Sequence, residues 1–284
     1  MTQVTFARGR RHLPMFRGAP DDPVRRRTRE LLNDTYASHG IPSSGDAFVK
    51  SLADVDVVFG DVLPRVAHQH VALGVAPHAC TRHCSYCCYR LVRTTPIEVL
   101  GLAHRVITTA GGAVDGVVDM LRANVAELGD ARDPSGYAKQ SVRCALLDAD
   151  DLCSHYDARP AACRAWHSKD VRPCADAYDQ SRPTTGAPID VVYTMHATAI
   201  ESGWRDALAR RHGPRVDQAL ELQRALLIAL TERDVAARWV GGEDVFAPAA
   251  ISTLESPKPA HAAVDVGLAD TPDASPDGHA PSRP

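Results

Sequence analysis

Four thiols stand within nine residues, Cys80-Thr-Arg-His-Cys84-Ser-Tyr-Cys87-Cys88, and four more follow at Cys144, Cys153, Cys163 and Cys174. All eight cysteines of the chain fall between positions 80 and 174. Packing alone does not call for such a run, because one or two small apolar side chains would fill the same space. Gaps of two or three residues let neighbouring thiolates converge on one ion, as in structural zinc sites and iron–sulfur clusters. Deprotonated sulfurs this close repel one another unless a cation neutralises them. The chemistry expected here is metal chelation, with all eight cysteines as candidate ligands. The adjacent pair Cys87-Cys88 adds a constraint, since neighbouring side chains diverge by roughly 100° on a helix. The two would serve different ions, bridge two metals, or leave one thiol spare. Eight sulfurs suffice for two four-sulfur sites, or for one cluster with a reactive remainder. His83 lies inside the first cysteine group, and His155 and His167 inside the second. These are the histidines placed to substitute for a sulfur; His78 has a weaker claim.

The elements around these groups read as helices. Val24, Leu31 and Leu32 suggest a short amphipathic helix after an arginine-bearing arm, and Ser44 to Leu73 reads as one or two helices interrupted or started by Pro64. Thr95-Pro96-Ile97-Glu98 supplies an N-cap, a first-turn proline and a capping-box glutamate. Val99, Leu102 and Val106 continue that helix until Gly111-Gly112. The next places Val114, Val117, Val118, Leu121, Val125 and Leu128 on one face. From Asp130 to Asp179 the pattern turns irregular, with Val142 to Leu147 extended and Asp148 to Asp151 as a turn. Pro188–Arg211 and Arg215–Val240 read as a helical hairpin broken at Gly213-Pro214, with Val216, Leu220, Leu227 and Leu230 on the buried face of its second arm. The expected fold is mainly α, a helical protein with an irregular, metal-organised cysteine-rich segment between helical wings. Its expected divisions are an N-terminal helical arm (1–75), a cysteine-cluster domain (76–180), a C-terminal helical hairpin (181–247) and a disordered tail (248–284), the last rich in Pro, Ala, Asp and Ser.

The bulk composition narrows the function classes. A chain of 284 residues with 44% hydrophobic content has enough apolar material for a core without disulfide staples. A formal net charge of −3 argues against a nucleic-acid partner, and the acidic residues among Arg25, Arg26, Arg27 and Arg29 make that patch a solvated helix face. No stretch approaches the ~18 apolar residues needed to span a bilayer. The expected home is the cytoplasm, where thiols bind metals more often than they form disulfides.

The second cysteine group carries a more specific pattern, Cys144-Ala-Leu-Leu-Asp-Ala-Asp-Asp-Leu-Cys153-Ser-His-Tyr156-Asp-Ala-Arg159-Pro160-Ala-Ala-Cys163-Arg164. With the Cys80–Cys88 run it resembles the CxxCxxCC family, the YkgJ-like cysteine-cluster proteins with a zinc- or iron-chelating domain. Tyr156, Arg159, Pro160, Cys163 and Arg164 match the family's Tyr-x-x-Arg-Pro-x-x-Cys-Arg. The first gap departs from it, with three residues where the family name has two. The resemblance covers about residues 76 to 175 and implies that these cysteines hold zinc or iron, an iron–sulfur cluster included. It implies the metal as partner and no particular reaction. Tyr156, Arg159 and Arg164 then read as donors to sulfurs and loop carbonyls around the metal, ahead of a substrate-binding role. Flagellin lysine methylases resemble the chain in the same region and supply the enzyme alternative. Against it, no glycine-rich strand–turn–helix is present, and Gly111-Gly112 and Gly241-Gly242 each look like a helix stop. A thiol redox sensor closing Cys87-Cys88 is the other alternative.

Overall fold

The computed structural model describes residues 23–30, 45–109, 114–184 and 187–251. The first described helix, α1, covers 23–30. Leu31, Leu32, the N-terminal arm, Gly111-Gly112 and the tail from 252 lie outside the described residues. The α2 helix runs unbroken from Gly45 to Ala72 with Pro64 inside it. The fold is mainly helical, as the periodicity predicts, and the cysteines lie in its middle segment.

The helices α3 (Pro96–Thr109) and α4 (Val114–Leu128) form where the caps and apolar spacing put them. At the start of α3 the Thr95 backbone N–H donates to Glu98 Oε2 (2.9 Å), and Glu98 N–H reaches back to Thr95 Oγ1 at 3.4 Å. Val99, Leu102 and Val106 are buried, as are Val118, Leu121 and Leu128 of α4. They join α2 (Phe59, Leu63, Val66) and α8 (Val191–His212), whose Ala197, Ile200, Trp204 and Leu208 face the same core. One hydrophobic cluster thus runs from α2 to Ala249. Burial on this scale, about 25 cal/mol per Å² of apolar surface, needs no metal to sustain it.

Two stretches differ from the expected pattern. Residues 130–179 are less irregular than expected, holding α5 (Pro134–Gln140), a 3₁₀ turn at Tyr156–Ala158, α6 (Ala161–Ala165) and α7 (Arg172–Asp179). Their start signals are compact: Asp133 Oδ1 accepts from Ser135 and Gly136 N–H ahead of Pro134, and Pro173 stands in the first turn of α7. These helices are too short for an apolar period to reveal.

The second arm of the C-terminal hairpin is not one helix. After Gly213 (φ 71°) ends α8, the chain makes a 3₁₀ turn, Gly213–Asp217, and then a two-residue strand, Leu220–Glu221 (β2). This strand pairs antiparallel with Arg93–Thr94 (β1), Arg93 opposite Glu221. Two helices follow, α9 (Leu222–Thr231) and α10 (Val235–Val240), separated at Asp234 (φ 51°). Glu221 causes the break. Its buried carboxylate caps α9, accepting from Gln223 and Arg224 N–H, while also accepting from the Tyr137 hydroxyl and pairing with Arg224 Nη1. Such long-range partners override helix propensity at one position. Val216 and Leu220 are buried as expected, but α9 buries Leu222, Ala225 and Leu226 more deeply than Leu227 and Leu230. Beyond α10, Ala249 and Ile251 are buried, and Ile251 N–H bonds Ala219 O.

Candidate metal centre

Short backbone bridges bring the two cysteine groups together. The first group lies on a turn and a 3₁₀ helix, with Cys84 N–H bonded to Thr81 O and Tyr86–Tyr89 forming the turn that carries Cys87 and Cys88. Cys144 N–H donates to Cys88 O at 2.9 Å, and Ser168 N–H donates to Cys80 Sγ at 3.2 Å. Ala79 N–H bonds Ser168 O, and a Leu147–Cys153 bridge closes the turn between Cys144 and Cys153.

Other side chains set the remaining positions. Asn124 of α4 donates to Arg143 O (2.7 Å) and to Gln223 Oε1, which also accepts from Ala145 N–H. Cys144 is therefore clamped between α4 and α9. Glu98 has a second task beyond its capping box: its Oε1 accepts from Ala161 N–H at 2.7 Å. Pro160, at the N-cap of α6, has no side-chain donor or acceptor, so the α3 glutamate caps the helix that presents Cys163.

Six cysteines, Cys84, Cys87, Cys88, Cys144, Cys153 and Cys163, line one cavity together with Arg82, Arg90, Tyr156 and Arg159. Leu102, Leu146 and Leu222 form its apolar floor. Cys80 and Cys174 do not line this cavity, although each lies close enough to Cys87 to feel its charge. All eight thiols are free.

The electrostatics are uneven. Burial pushes the Cys80, Cys84, Cys153 and Cys174 thiols up, carries Cys144 up to about 12 and Cys163 higher still, and repulsion from Cys87 adds to each. Cys87 alone is pulled down, because the Cys88 thiol donates to it and Arg90 and Arg159 lie nearby. Cys88 is correspondingly driven up, first by that hydrogen bond and then by burial. Cys87 is thus a thiolate among thiols and the charged neighbour of the other seven. Its counterions are held in place by aromatic rings: Arg90 stacks on Trp166 at 3.6 Å, and Arg159 on Tyr156 at 3.4 Å.

The donor set suits a thiophilic metal. Thiols held protonated by burial become ligands once a cation repays the cost of their charge. Six sulfurs around one cavity exceed the four that complete a tetrahedral zinc.

The arginines do what the residue types suggested. Arg159 Nε donates to Tyr156 O, and Arg164 Nε donates to Arg159 O, while its Nη2 reaches Asp157 O. These bonds brace the loop that carries Cys153 and Cys163. The structure brings no candidate histidine into the sulfur set. His83 is exposed. His155 lines the cavity, but Ser154 Oγ and Thr109 Oγ1 occupy its two nitrogens. His167 stacks on Tyr193 at 4.2 Å, outside the cavity lining.

Sequence reasoning missed several residues that position the site. Arg90, Asn124 and Gln223 carry no local motif, and the α6 contact of Glu98 was hidden behind its role in the capping box. Only the interruption of an apolar helix face by Asn124 marked any of them.

Comparison with known proteins agrees with this geometry. Residues 79–184 match the CxxCxxCC family, described as "Putative zinc- or iron-chelating domain". The match takes in all eight cysteines and ends before α8. No curated protein and no solved structure matches the chain.

Proposed function

We propose that this protein is a thiolate-ligated zinc or iron protein whose centre holds more than one metal ion. Six cysteines that two distant segments bring to the lining of one cavity carry this reading; among the described residues no three of their sulfurs stand within 4.8 Å of one another, so the metal would draw them in. Four sulfurs saturate one tetrahedral ion, so a fifth and sixth at the same cavity call for a second metal or a cluster. Cys87 takes the bridging position, since its thiol is the one pulled down and its charge reaches the other seven. Cys80 and Cys174 complete the set from the flank, so that all eight cysteines take part. Arg90 and Arg159 balance the excess negative charge. Eight free thiols are at home in a reducing cytoplasm, and among the described residues no helix is long and apolar enough to cross a membrane.

Elemental analysis of protein purified without oxygen tests the proposal. Two or more equivalents of sulfur-bound zinc or iron per chain are expected, the sulfur coordination read by X-ray absorption, with sulfur-to-iron charge-transfer bands if the metal is iron. One equivalent or fewer in fully folded, fully reduced protein overturns it.

A second reading rests on the Cys88-to-Cys87 hydrogen bond. An adjacent thiolate and thiol form the pair from which an oxidant such as peroxide can draw two electrons and one proton to make a disulfide, releasing metal. Thiol counting after mild peroxide, with and without Cys88→Ser, separates such a sensor from an inert structural centre.

A further inference from the structure

A second set of metal donors lies outside the matched domain, on both sides of it in sequence. His70 Nδ1, His78 Nε2 and an Asp190 carboxylate oxygen all fall within 4.8 Å of one another. Asp190 Oδ2 stands 2.9 Å from His70 Nδ1 and 3.0 Å from His78 Nε2. None of the three side chains is on the exposed surface, and Asp190 is only 2% exposed.

The three donors come from separate segments that the fold pins together. His70 occupies the last turn of α2, and His78 follows in the loop leading to Cys80. Asp190 is the N-cap of α8, with Oδ1 accepting from Tyr193 N–H at 3.0 Å, which leaves Oδ2 for the histidines. Asp190 N–H bonds His167 O, and a Ser168–Ile189 bridge fixes the approach. The His78 ring is held edge-on against His167 and Tyr193, each 4.7 Å away. The donors are therefore positioned before any ligand arrives, which lowers the cost of binding.

We propose that His70, His78 and Asp190 form a separate site for a borderline divalent cation of the zinc class. Bound to metal at about 2.0–2.1 Å, two donors of a tetrahedron lie roughly 3.3 Å apart, and both carboxylate–imidazole separations already approach this. Neutral imidazole presents a lone pair at either nitrogen, so the metal would replace the two N–H contacts by a shift of tautomer without net loss of a proton. Two nitrogens and one oxygen leave a fourth position for water, the pattern of an open zinc site. The competing cation is Lys169, whose Nζ lies 3.9 Å from Asp190 Oδ2; its side chain is a third exposed and can swing to solvent. Nitrogen and oxygen donors distinguish this site from the all-sulfur centre nearby.

Cobalt(II) titration of the full-length protein, with elemental analysis, tests the proposal and separates the two sites. Cobalt on sulfur gives intense charge-transfer absorption, and cobalt on nitrogen and oxygen gives only weak visible bands. Wild-type protein is expected to show both. His70→Gln/His78→Gln should lose the weak bands and one equivalent of metal while keeping the sulfur absorption. Asp190→Asn should do the same while retaining its helix cap, and it decides the matter if the double variant fails to fold by circular dichroism. Folded variants with unchanged metal content and spectra would reduce the triad to a hydrogen-bonded clamp and overturn the proposal. Loss of the sulfur absorption together with the weak bands would overturn it as well, by assigning the histidines to the thiol centre.

Discussion

The wall built by α3, α8 and α9 and the cysteine loops leaning on it are stabilised in different ways. Ile97, Leu102, Ile200, Leu208 and Leu226 are almost wholly buried, and α3 and α9 begin on side-chain caps that satisfy their first N–H groups. Their stability comes from apolar burial and would survive without any ion. Between Ser141 and Val171 the chain has one five-residue helix, one 3₁₀ turn and isolated bridges. Its largest buried investment is sulfur kept protonated against solvent and against its neighbours. A wall that is complete beside a segment that is not is the arrangement expected where an ion finishes the fold.

Removing the metal should break this contrast most visibly. Treatment with a strong chelator should expose residues 141–171 to hydrogen exchange and protease while α3, α8 and α9 stay protected. If the ions contribute about 4 kcal/mol, the thermal midpoint falls by ~10 °C for a protein of this size. Equal protection of both regions before and after chelation would show that the loops hold themselves.

Acid should act on the cysteine centre through the protons its thiols hold. Burial holds six thiols above their ordinary value, and the hydrogen bond to Cys87, then burial, does the same for Cys88, so each that binds metal must release a proton. Affinity is therefore greatest at high pH and falls as pH drops, by about tenfold per unit for each proton displaced. With at least two protons displaced per ion, going from about pH 8 to pH 6 should weaken binding roughly ten-thousandfold, about 5.5 kcal/mol. Competition with a chromophoric chelator across that range reads the slope. A pH-independent affinity would mean that the ligands are already thiolates or are not cysteines.

The converse variant lies in the wall. Leu208→Ala empties space around a side chain only 1% exposed, at a cost of about 2–5 kcal/mol. Urea unfolding should report that loss while the folded protein keeps its full complement of metal. A proportionate loss of metal would mean that wall and loops are one cooperative unit.

The sequence made the wall easier to read than the loops. Thr95-Pro96-Ile97-Glu98 and the apolar period of α3 and α4 are local signals, and both helices stand where those signals put them. The cysteine spacing announced metal chelation just as locally, and the matched domain agrees with it. Local signals failed where a single side chain serves a distant segment. Glu221 reads as an ordinary helix residue, yet its bonds to Tyr137 and Arg224 break the expected second arm into β2, α9 and α10. Asp190 lies 120 residues from His70 and 112 from His78, and nothing in their neighbours marks the three as a set. The short helices α5, α6 and α7 have too few turns to show a period; α5 and α6 rely on caps, the second borrowed from α3, and α7 starts on Pro173.

That borrowed cap yields the smallest and most specific prediction. Glu98 belongs to the wall by its Oε2, which accepts from Thr95 N–H and from the Thr94 and Thr95 hydroxyls, and to the loops by its Oε1, which accepts from Ala161 N–H. Glu98→Gln keeps the shape and one carbonyl acceptor but turns the other position into a donor. Either α3 loses its capping bond or α6 loses its first N–H partner, at a cost of about 1–3 kcal/mol for an unsatisfied buried group. An amide that settles with its oxygen on Thr95 leaves the α3 cap intact and loosens α6, so metal affinity drops through Cys163 along with that loss of stability. The opposite orientation spares the metal and lowers the unfolding free energy. Measuring both quantities on this one variant shows which side of the contrast holds Glu98 more tightly, and equal losses on both would make it the joint through which metal binding stabilises the helices.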